Sequence, residues 1–395
     1  MPHALSMCWK YLPIGGWRRS LALEYGSLMK IGIETTASRI NQAGTGVYVS
    51  SLISSLLKFE DRNMYKFFFV DRRRDMAKSK TMRSRVDTIY RDVLWTHIVF
   101  PWQVHRSGVD VLHMPANVIP LSLSYPTVVT ILDTTVLQTP RNFTFWHRNY
   151  SRMFVPLSAR RASLILTISE HSKRDIVKQF AIPHDKVVVT HLAASERFRP
   201  VSKREMSVTK QLYDLDTYIL TVGTLEPRKN IIRLLYAFKE VREQGFAGKL
   251  VHVGPKGWLF GDILAEVERL GLRESVRFLG RVPLDDLVRL YNAALMFVYP
   301  SLYEGFGLPP LEAMACGCPV VTSNTSSLPE VVGPAAITID PYDVSQIADA
   351  MLRVIEDQAL ATSMCERGLE RARLFSWRRC AHETVAAYER CVRRA

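Results

Sequence analysis

Residues Ala294 to Thr322 constrain the fold more than any other stretch of this chain. An apolar run, Ala294–Tyr299, reads as a buried strand. A loop carrying Gly305 and Gly307 follows, then Pro309 and Pro310, and after Gly317 a second apolar run, Pro319–Thr322. Proline is tolerated where a helix begins, because the N–H it lacks would be unpaired there anyway. Glycine allows dihedrals and close backbone approaches closed to other residues. Strand, glycine loop, helix, strand is the unit of a parallel sheet, and such sheets bind ligands beyond the carboxyl ends of their strands. A helix entered through this loop presents free N–H groups and the positive end of its dipole, which suits a phosphate. Glu304 and Glu312 flank the loop. Two carboxylates beside an anion-favouring loop suit a ligand bearing phosphate and hydroxyl groups, and a sugar nucleotide fits. The helix dipole alone also favours a first-turn glutamate, and Gly-Phe-Gly can be a mere connection.

The same alternation runs through the whole chain, twice. In the first half, strands are expected at Lys30–Glu34, Tyr65–Val70, Asp110–His113, Thr127–Leu132, Leu164–Ile168 and Val187–Thr190, with helices at Val47–Leu57 and Phe143–Arg161. Ser169 is a natural cap for the helix after the fifth strand. Residues 193–215 lose periodicity and read as a linker. A second series starts at Tyr218–Val222 and continues through helix Ile231–Glu243, strand Lys249–Val253, a helix near Ile263–Leu270, strand Val276–Leu279 and helix Leu284–Asn292. Helices Val344–Glu356, Leu360–Leu374 and Trp377–Arg393 end the chain. Two such series imply two doubly wound α/β domains facing a cleft, 29–200 and 201–375, with a C-terminal helix at 376–395. Residues 1–28 lack a continuous apolar core and read as an extension, disordered or an overlong start.

Composition narrows the partners. Residues 1–200 hold 28 Lys and Arg against 14 Asp and Glu, whereas residues 201–395 hold 24 of each. The basic excess therefore sits entirely in the first half and points to an anionic partner: a membrane surface, a lipid-linked phosphate or nucleic acid. Arg72 to Arg85 is a basic, polar stretch. Around Phe143–Arg161, aromatic side chains interleave with Arg148, Arg152, Arg160 and Arg161, which suits either an interfacial surface or a core-facing helix. No run approaches the roughly 18 apolar residues of a membrane span. Six cysteines without metal-ligand spacing read as core thiols in a reducing compartment.

Arg228 and Lys229 follow the first strand of the second series and stand just before its helix. Arginine grips two phosphate oxygens at once, and lysine supplies a compact charge. A solvated pair on an exposed turn is the alternative. At this point the residues resemble a known family. Gly-Thr-Leu-Glu-Pro-Arg-Lys-Asn (223–230), Phe-Leu-Gly-Arg-Val (278–282), the 299–315 stretch and Ser327-Leu-Pro-Glu330 look like the retaining glycosyltransferases of group 1, with the GT-B fold. The resemblance runs from about 29 to 390 and is strongest in the second half. It implies that the C-terminal helices pack back towards the first domain. It also implies that Glu312 binds donor ribose hydroxyls and Glu304 holds the transferred sugar. Arg228 and Lys229 would neutralise the diphosphate with help from the amides of Gly305, Phe306, Gly307 and Leu308. Gly223 belongs to the same edge, and Arg281 and Val282 would lie near the base.

In the first half, Asp133 matches the aspartate of the family's His-Asp pair, but Leu132 replaces the histidine. Gly44 and Gly46 match the family's phosphate-approaching glycine loop, and His113 is a further candidate there. The expected activity is metal-independent, cofactor-free transfer from a nucleotide-diphospho-sugar, GDP-mannose before a UDP-sugar. The acceptor would be a lipid-linked or polysaccharide glycan, in O-antigen or exopolysaccharide synthesis. The expected place is the cytoplasm or the cytoplasmic face of the membrane, with an anionic membrane surface and no nucleic acid as partner. Cleaving a glycosyl–phosphate bond builds charge on the leaving diphosphate, so fixed cations and amides lower the barrier. Front-face reaction and double displacement both stay open. A sugar-nucleotide epimerase or phosphorylase would keep the fold. The absence of lysine after Lys256 speaks against the latter, which needs a cofactor-bearing lysine. A nucleic-acid binder is the non-enzymatic alternative, without zinc spacing or a basic recognition helix to support it.

Overall fold

A computed structural model describes residues 28–40, 44–70, 90–138, 145–257 and 260–394. Apart from Leu28, the expected N-terminal extension lies outside these residues, as do the basic stretch 72–85 and the start of the 143–161 helix. The chain divides into two compact units. One takes the residues up to Ile168, Lys173–Thr190 and Trp377 onward; the other takes Ser169–Ser172 and His191–Ser376.

The first unit is built on strands β1 (Lys30–Glu34), β2 (Met64–Phe68), β3 (Val111–Met114), β4 (Thr127–Thr130), β5 (Leu164–Thr167) and β6 (Val187–Val189). They form one parallel sheet in the order β2-β1-β3-β4-β5-β6. Every residue of β3, β4 and β5 is buried, as expected of strands covered on both faces by crossover helices. Helices Thr45–Phe59 and Trp377–Arg393 pack on each other in this unit. Ser169 does cap its helix: its Oγ accepts from the Ser172 amide at 3.0 Å.

The second unit holds β7 (Tyr218–Val222), β8 (Lys249–Val253), β9 (Val276–Gly280), β10 (Met296–Tyr299), β11 (Val320–Ser323) and β12 (Ile337–Ile339). Their order, β12-β11-β10-β7-β8-β9, is again all parallel. The chain reverses its direction of sheet growth between β7 and β10, so their exit loops diverge and leave a crevice at their carboxyl ends. Apolar side chains fill both faces of this sheet: Ile219, Leu234, Phe238 and Met351 on one, Tyr218, Tyr291, Phe297 and Tyr299 on the other. Each such side chain contributes about 1.5–3 kcal/mol on burial.

Several elements depart from the sequence-based expectation. Residues 193–215 are not plain linker: Lys203–Leu212 is helical. It opens with a capping box in which the Glu205 amide donates to Ser202 Oγ and the Ser202 amide donates to Glu205 Oε2. Charged side chains had hidden its weak apolar stripe. Tyr90–Val99 forms a π-helix that leads into helix Phe100–His105, a widening that apolar periodicity of 3.6 does not reveal. Strand β12 is only three residues long, too short to carry a pattern.

Candidate active site

The site lies where β7 and β10 end, and hydrogen bonds stitch the two exit loops together. The Leu302 amide donates to the Arg228 carbonyl at 2.9 Å, and Arg228 Nη1 donates to the Tyr303 carbonyl at 2.7 Å. Pro227–Lys229 makes one 3-10 turn, closed by Asn230 in the left-handed region (φ 60). That turn aims Lys229 back beneath the loop. It passes over Gly223, where an added Cβ would lie 3.3 Å from the lysine side chain. The next strand leaves no more room: a Cβ on Gly254 would fall 1.9 Å from the Gly223 carbonyl oxygen. Backbones that approach this closely require glycine.

Glu304 is the centre of this arrangement. Its Oε1 accepts from Lys229 Nζ at 2.6 Å, Ser301 Oγ at 2.6 Å and Tyr299 Oη at 2.8 Å, and its Oε2 pairs with Arg228 Nη1 at 2.7 Å. Lys229 Nζ also donates to Tyr299 Oη, and Arg228 reaches Glu226 through Nε and Nη2. Glu304 and Lys229 are each only 9% exposed. Burial pushes the Glu304 carboxyl up, but the charges of Arg228 and Lys229 outweigh it and hold the group well below the usual carboxylate range. For Lys229 burial is the larger effect, and its pKa is lowered despite the nearby carboxylate.

The loop after Glu304 is held from outside. Ser327 Oγ donates to the carbonyls of Glu304 at 2.8 Å and Phe306 at 2.6 Å, and the Glu304 amide donates to Ser326 Oγ at 3.0 Å. Gly307, at φ 123, precedes helix Leu308–Ala315 with no side-chain cap. Pro309 and Pro310 carry no N–H and the Leu311 amide donates to the Gly307 carbonyl at 3.3 Å, so in this first turn the Leu308 amide is left for another acceptor. A Cβ on Gly307 would press on Leu328 at 2.9 Å. Phe306 is buried, while Leu308 is half-buried.

Glu312 is separate from the Glu304 cluster. It sits on the same helix, half-buried, with Tyr291 Oη donating to its Oε2 at 3.3 Å. Burial without a cation pushes its pKa up to about 7. The expected quartet of two acids and two cations is thus a trio with an independent fourth member. Arg281 is exposed and Val282 half-buried just beyond β9, whose Gly280 carbonyl accepts from the Gly254 amide at 2.9 Å. A cavity of about 630 Å³ opens beside the exit loops, lined by Glu226, Leu302, Asn230, Arg233, Tyr236 and Asp262, and takes in none of the expected donor residues.

In the first unit, Gly44 (φ 52) is exposed and caps helix Thr45–Phe59, and Gly46 is buried in its first turn. Asp133 follows β4 and accepts from the Thr135 amide at 2.9 Å, capping the short helix Thr135–Gln138. His113 is corrected by the structure: it is fully buried, with Nδ1 2.7 Å from Tyr388 Oη and Nε2 2.7 Å from Thr130 Oγ1. Burial pushes its pKa down to about 3, so the ring is neutral. With both nitrogens engaged inside the core, it has nothing to offer an acceptor. Sequence reasoning missed Tyr299, Ser301, Ser326, Ser327 and Glu226. Only Ser326 carries a local oddity, a positive φ of 55 in a residue with a side chain.

Among the described residues, no group of three or more His, Cys, Asp or Glu side chains comes together as a metal cluster. No helix among them is long and apolar enough to cross a membrane.

The sequence model of the family glycosyl transferases group 1 matches residues 202–371, which include the whole Glu304 cluster and Glu312. O-antigen chain mannosyltransferase B of Escherichia coli is 42% identical over 266 residues, covering 66% of this chain and 70% of that protein. Serotype-specific mannosyltransferase WbdA of Escherichia coli is 36% identical over 240 residues, covering 59% of this chain and 29% of that longer protein. Among solved structures, sucrose-phosphate synthase of Thermosynechococcus elongatus superposes with a TM-score of 0.76 at 19% identity, over 93% of this chain and 100% of that one. That likeness speaks for the fold, two Rossmann-like units of the GT-B type. The chain is an enzyme that belongs to the group 1 glycosyltransferases.

Proposed function

We propose that this enzyme transfers mannose from GDP-mannose, with retention of configuration, to a lipid-linked or polysaccharide glycan, as in O-antigen synthesis. The arrangement of Arg228, Lys229 and Glu304 beside the uncapped helix Leu308–Ala315 carries the reading. The leaving diphosphate gains negative charge, and two cations with the Leu308 amide at the helix start, already held in place, stabilise it without reorganising. These cations take the part a metal ion would otherwise play, so the reaction runs in the presence of a chelator. Glu304 serves to orient the sugar and not as nucleophile, because both its oxygens are engaged and its basicity is lowered by two cations. Glu312 accepts the ribose hydroxyls once ionised. The similarity to mannosyltransferases, two of them O-antigen or serotype enzymes by name, supports the choice of sugar and acceptor.

The test is nucleotide release from GDP-mannose, GDP-fucose, UDP-glucose and UDP-galactose, with lipid-linked glycan acceptors and with excess chelator. Release of GDP from GDP-mannose alone, dependent on acceptor, is the expected result. Turnover with a UDP-sugar only, or abolition by chelator, would overturn the donor or the metal-free reading respectively.

A further inference from the structure

Glu330, the last residue of the Ser327-Leu-Pro-Glu330 run, grips the start of another helix. Its carboxylate accepts from the amides of Glu170 at 2.8 Å and His171 at 3.1 Å, and lies 2.8 Å from His191 Nε2. The next amide, that of Ser172, goes to Ser169 Oγ at 3.0 Å. The first three amides of helix Glu170–Phe180 are therefore taken up by the protein itself, and this helix start is closed to a ligand. Residues Ser169–Ser172 pack with the second unit. Arg371 secures Glu330 from behind, donating from Nη2 to its carbonyl at 2.5 Å and from Nε to that of Val331 at 2.9 Å.

The segment fixed in this way presents two hydroxyls to the loop after Glu304. Ser169 Oγ donates to the Gly305 carbonyl at 2.8 Å, and Ser172 Oγ donates to the same carbonyl at 3.2 Å. Ser327 Oγ takes the carbonyls on either side, those of Glu304 and Phe306. All three serines are fully buried, so water does not compete for these bonds. Three successive carbonyls are thus each tied to a hydroxyl. In a planar trans peptide the N–H points away from the C=O. The same hydroxyls therefore set the direction of the amides of Gly305, Phe306 and Gly307. These three residues are buried, and among the described residues none of their amides donates to a protein acceptor. A protein rarely leaves successive buried amides unpaired, and a run of them suits an anion. The Phe306 ring adds a clamp, 6.1 Å from the His191 ring and 5.7 Å from that of Phe375, so His191 meets both Glu330 and the loop.

We propose that Ser169, Ser172 and Ser327, with Glu330 bracing the first two, are positioning residues that aim the Gly305–Gly307 amides at the distal phosphate of the donor. Glu304, beside these amides, orients the sugar, and the distal phosphate is the one that carries it. The inference rests on the nucleotide-diphosphate donor of the proposed function. The full chain is titrated by calorimetry with GDP and GMP, and with UDP and UMP. Base and ribose are common to each pair, so the preference for diphosphate over monophosphate reads the distal phosphate alone. Ser169→Ala/Ser172→Ala is expected to cut that preference by about 10-fold or more, as lost bonds to a charged group would. The loss falls on the diphosphate and leaves the monophosphate unchanged. Ser327→Ala and Glu330→Ala act in the same direction, while Glu330→Gln, which keeps one acceptor oxygen, has a smaller effect. Ser172→Thr retains the hydroxyl and the preference. Circular dichroism and Tm report that each variant is folded, and any one folded alanine variant suffices for the test. A scaffold role would weaken both nucleotides together or lower Tm with the preference intact, and either result overturns the proposal. A parent protein without a diphosphate preference for either base sinks the donor reading as well, whereas a preference kept by parent and variants alike refutes the positioning alone.

Discussion

Each unit buries a polar network in its interior, and the two are built on opposite electrostatic plans. In the first unit, His113, Thr130, Tyr48 and Tyr388 join strands β3 and β4 to the helices Thr45–Phe59 and Trp377–Arg393 through hydrogen bonds between neutral groups. In the second, Glu304 sits among Lys229, Arg228, Tyr299 and Ser301 with its charge retained. A neutral network tolerates burial cheaply and ties elements together. A charged one costs several kcal/mol of desolvation per ion, recovered only if every partner is in place. That cost is reasonable where a ligand brings charge of its own. The contrast teaches that buried histidine and buried glutamate, equally suggestive in a sequence, belong here to the frame and to the chemistry respectively.

The largest break in this comparison comes from Glu304→Gln. It leaves Lys229 buried against a neutral amide, and loss of one member of a buried pair costs about 3–5 kcal/mol. Urea unfolding measures that loss, and GDP release from GDP-mannose is expected to fall by about 10²-fold or more. A variant as stable and active as the parent would remove Glu304 from the centre of the site. Next in size is Gly254→Ala, whose Cβ would strike the Gly223 carbonyl at 1.9 Å. Strained backbone there is expected to cost more than about 1 kcal/mol and to raise KM for the donor, because the β7 exit loop must move; an unchanged KM would sink it.

Tyr388→Phe is smaller and tests the neutral network. It strips His113 Nδ1 of its partner and should cost about 1–3 kcal/mol, with kcat and KM kept. An activity loss beyond the stability loss would return His113 to the chemistry.

The pH dependence separates the networks by sign. His113 has a folded pKa of about 3 against an ordinary 6.5, so the unfolded chain binds its proton first. Its contribution is present above pH 6.5 and is lost as pH falls towards 3, and His113→Gln should flatten that slope in thermal melts. Glu312 runs the other way, with a folded pKa of about 7 against an ordinary 4.5. The folded state keeps its proton longer, so stability falls as pH rises from 4.5 to 7. Donor binding by the ionised carboxylate rises through the same point, a midpoint that Glu312→Gln should erase in titrations of GDP binding.

Much of this was legible in the chain. β1, β7 and β8 and the helices Ile231–Glu243, Val344–Glu356 and Trp377–Arg393 fall where apolar spacing places them. Arg228, Lys229 and Glu304 were expected at one sheet edge, and they do come together. The serines around Glu304 were not legible. Ser301, Ser326 and Ser327 are ordinary loop residues in sequence, and only the return of β11 beside β10 carries the last two to the Glu304 backbone. His113 was misread because a strand-end histidine looks alike whether it faces a crevice or a core. Tyr388, 275 positions away, decides which.

The sequence alone determined the double series of strands and helices and the residue types at the β7 and β10 tips, because periodicity, glycine and proline act locally. Tertiary structure decided which charges meet. Whether a carboxylate ends at a depressed pKa beside two cations, as Glu304 does, or at a raised one beside a tyrosine, as Glu312 does, depends on burial and on partners far away in the chain. Those are properties of packing, and no local pattern encodes them.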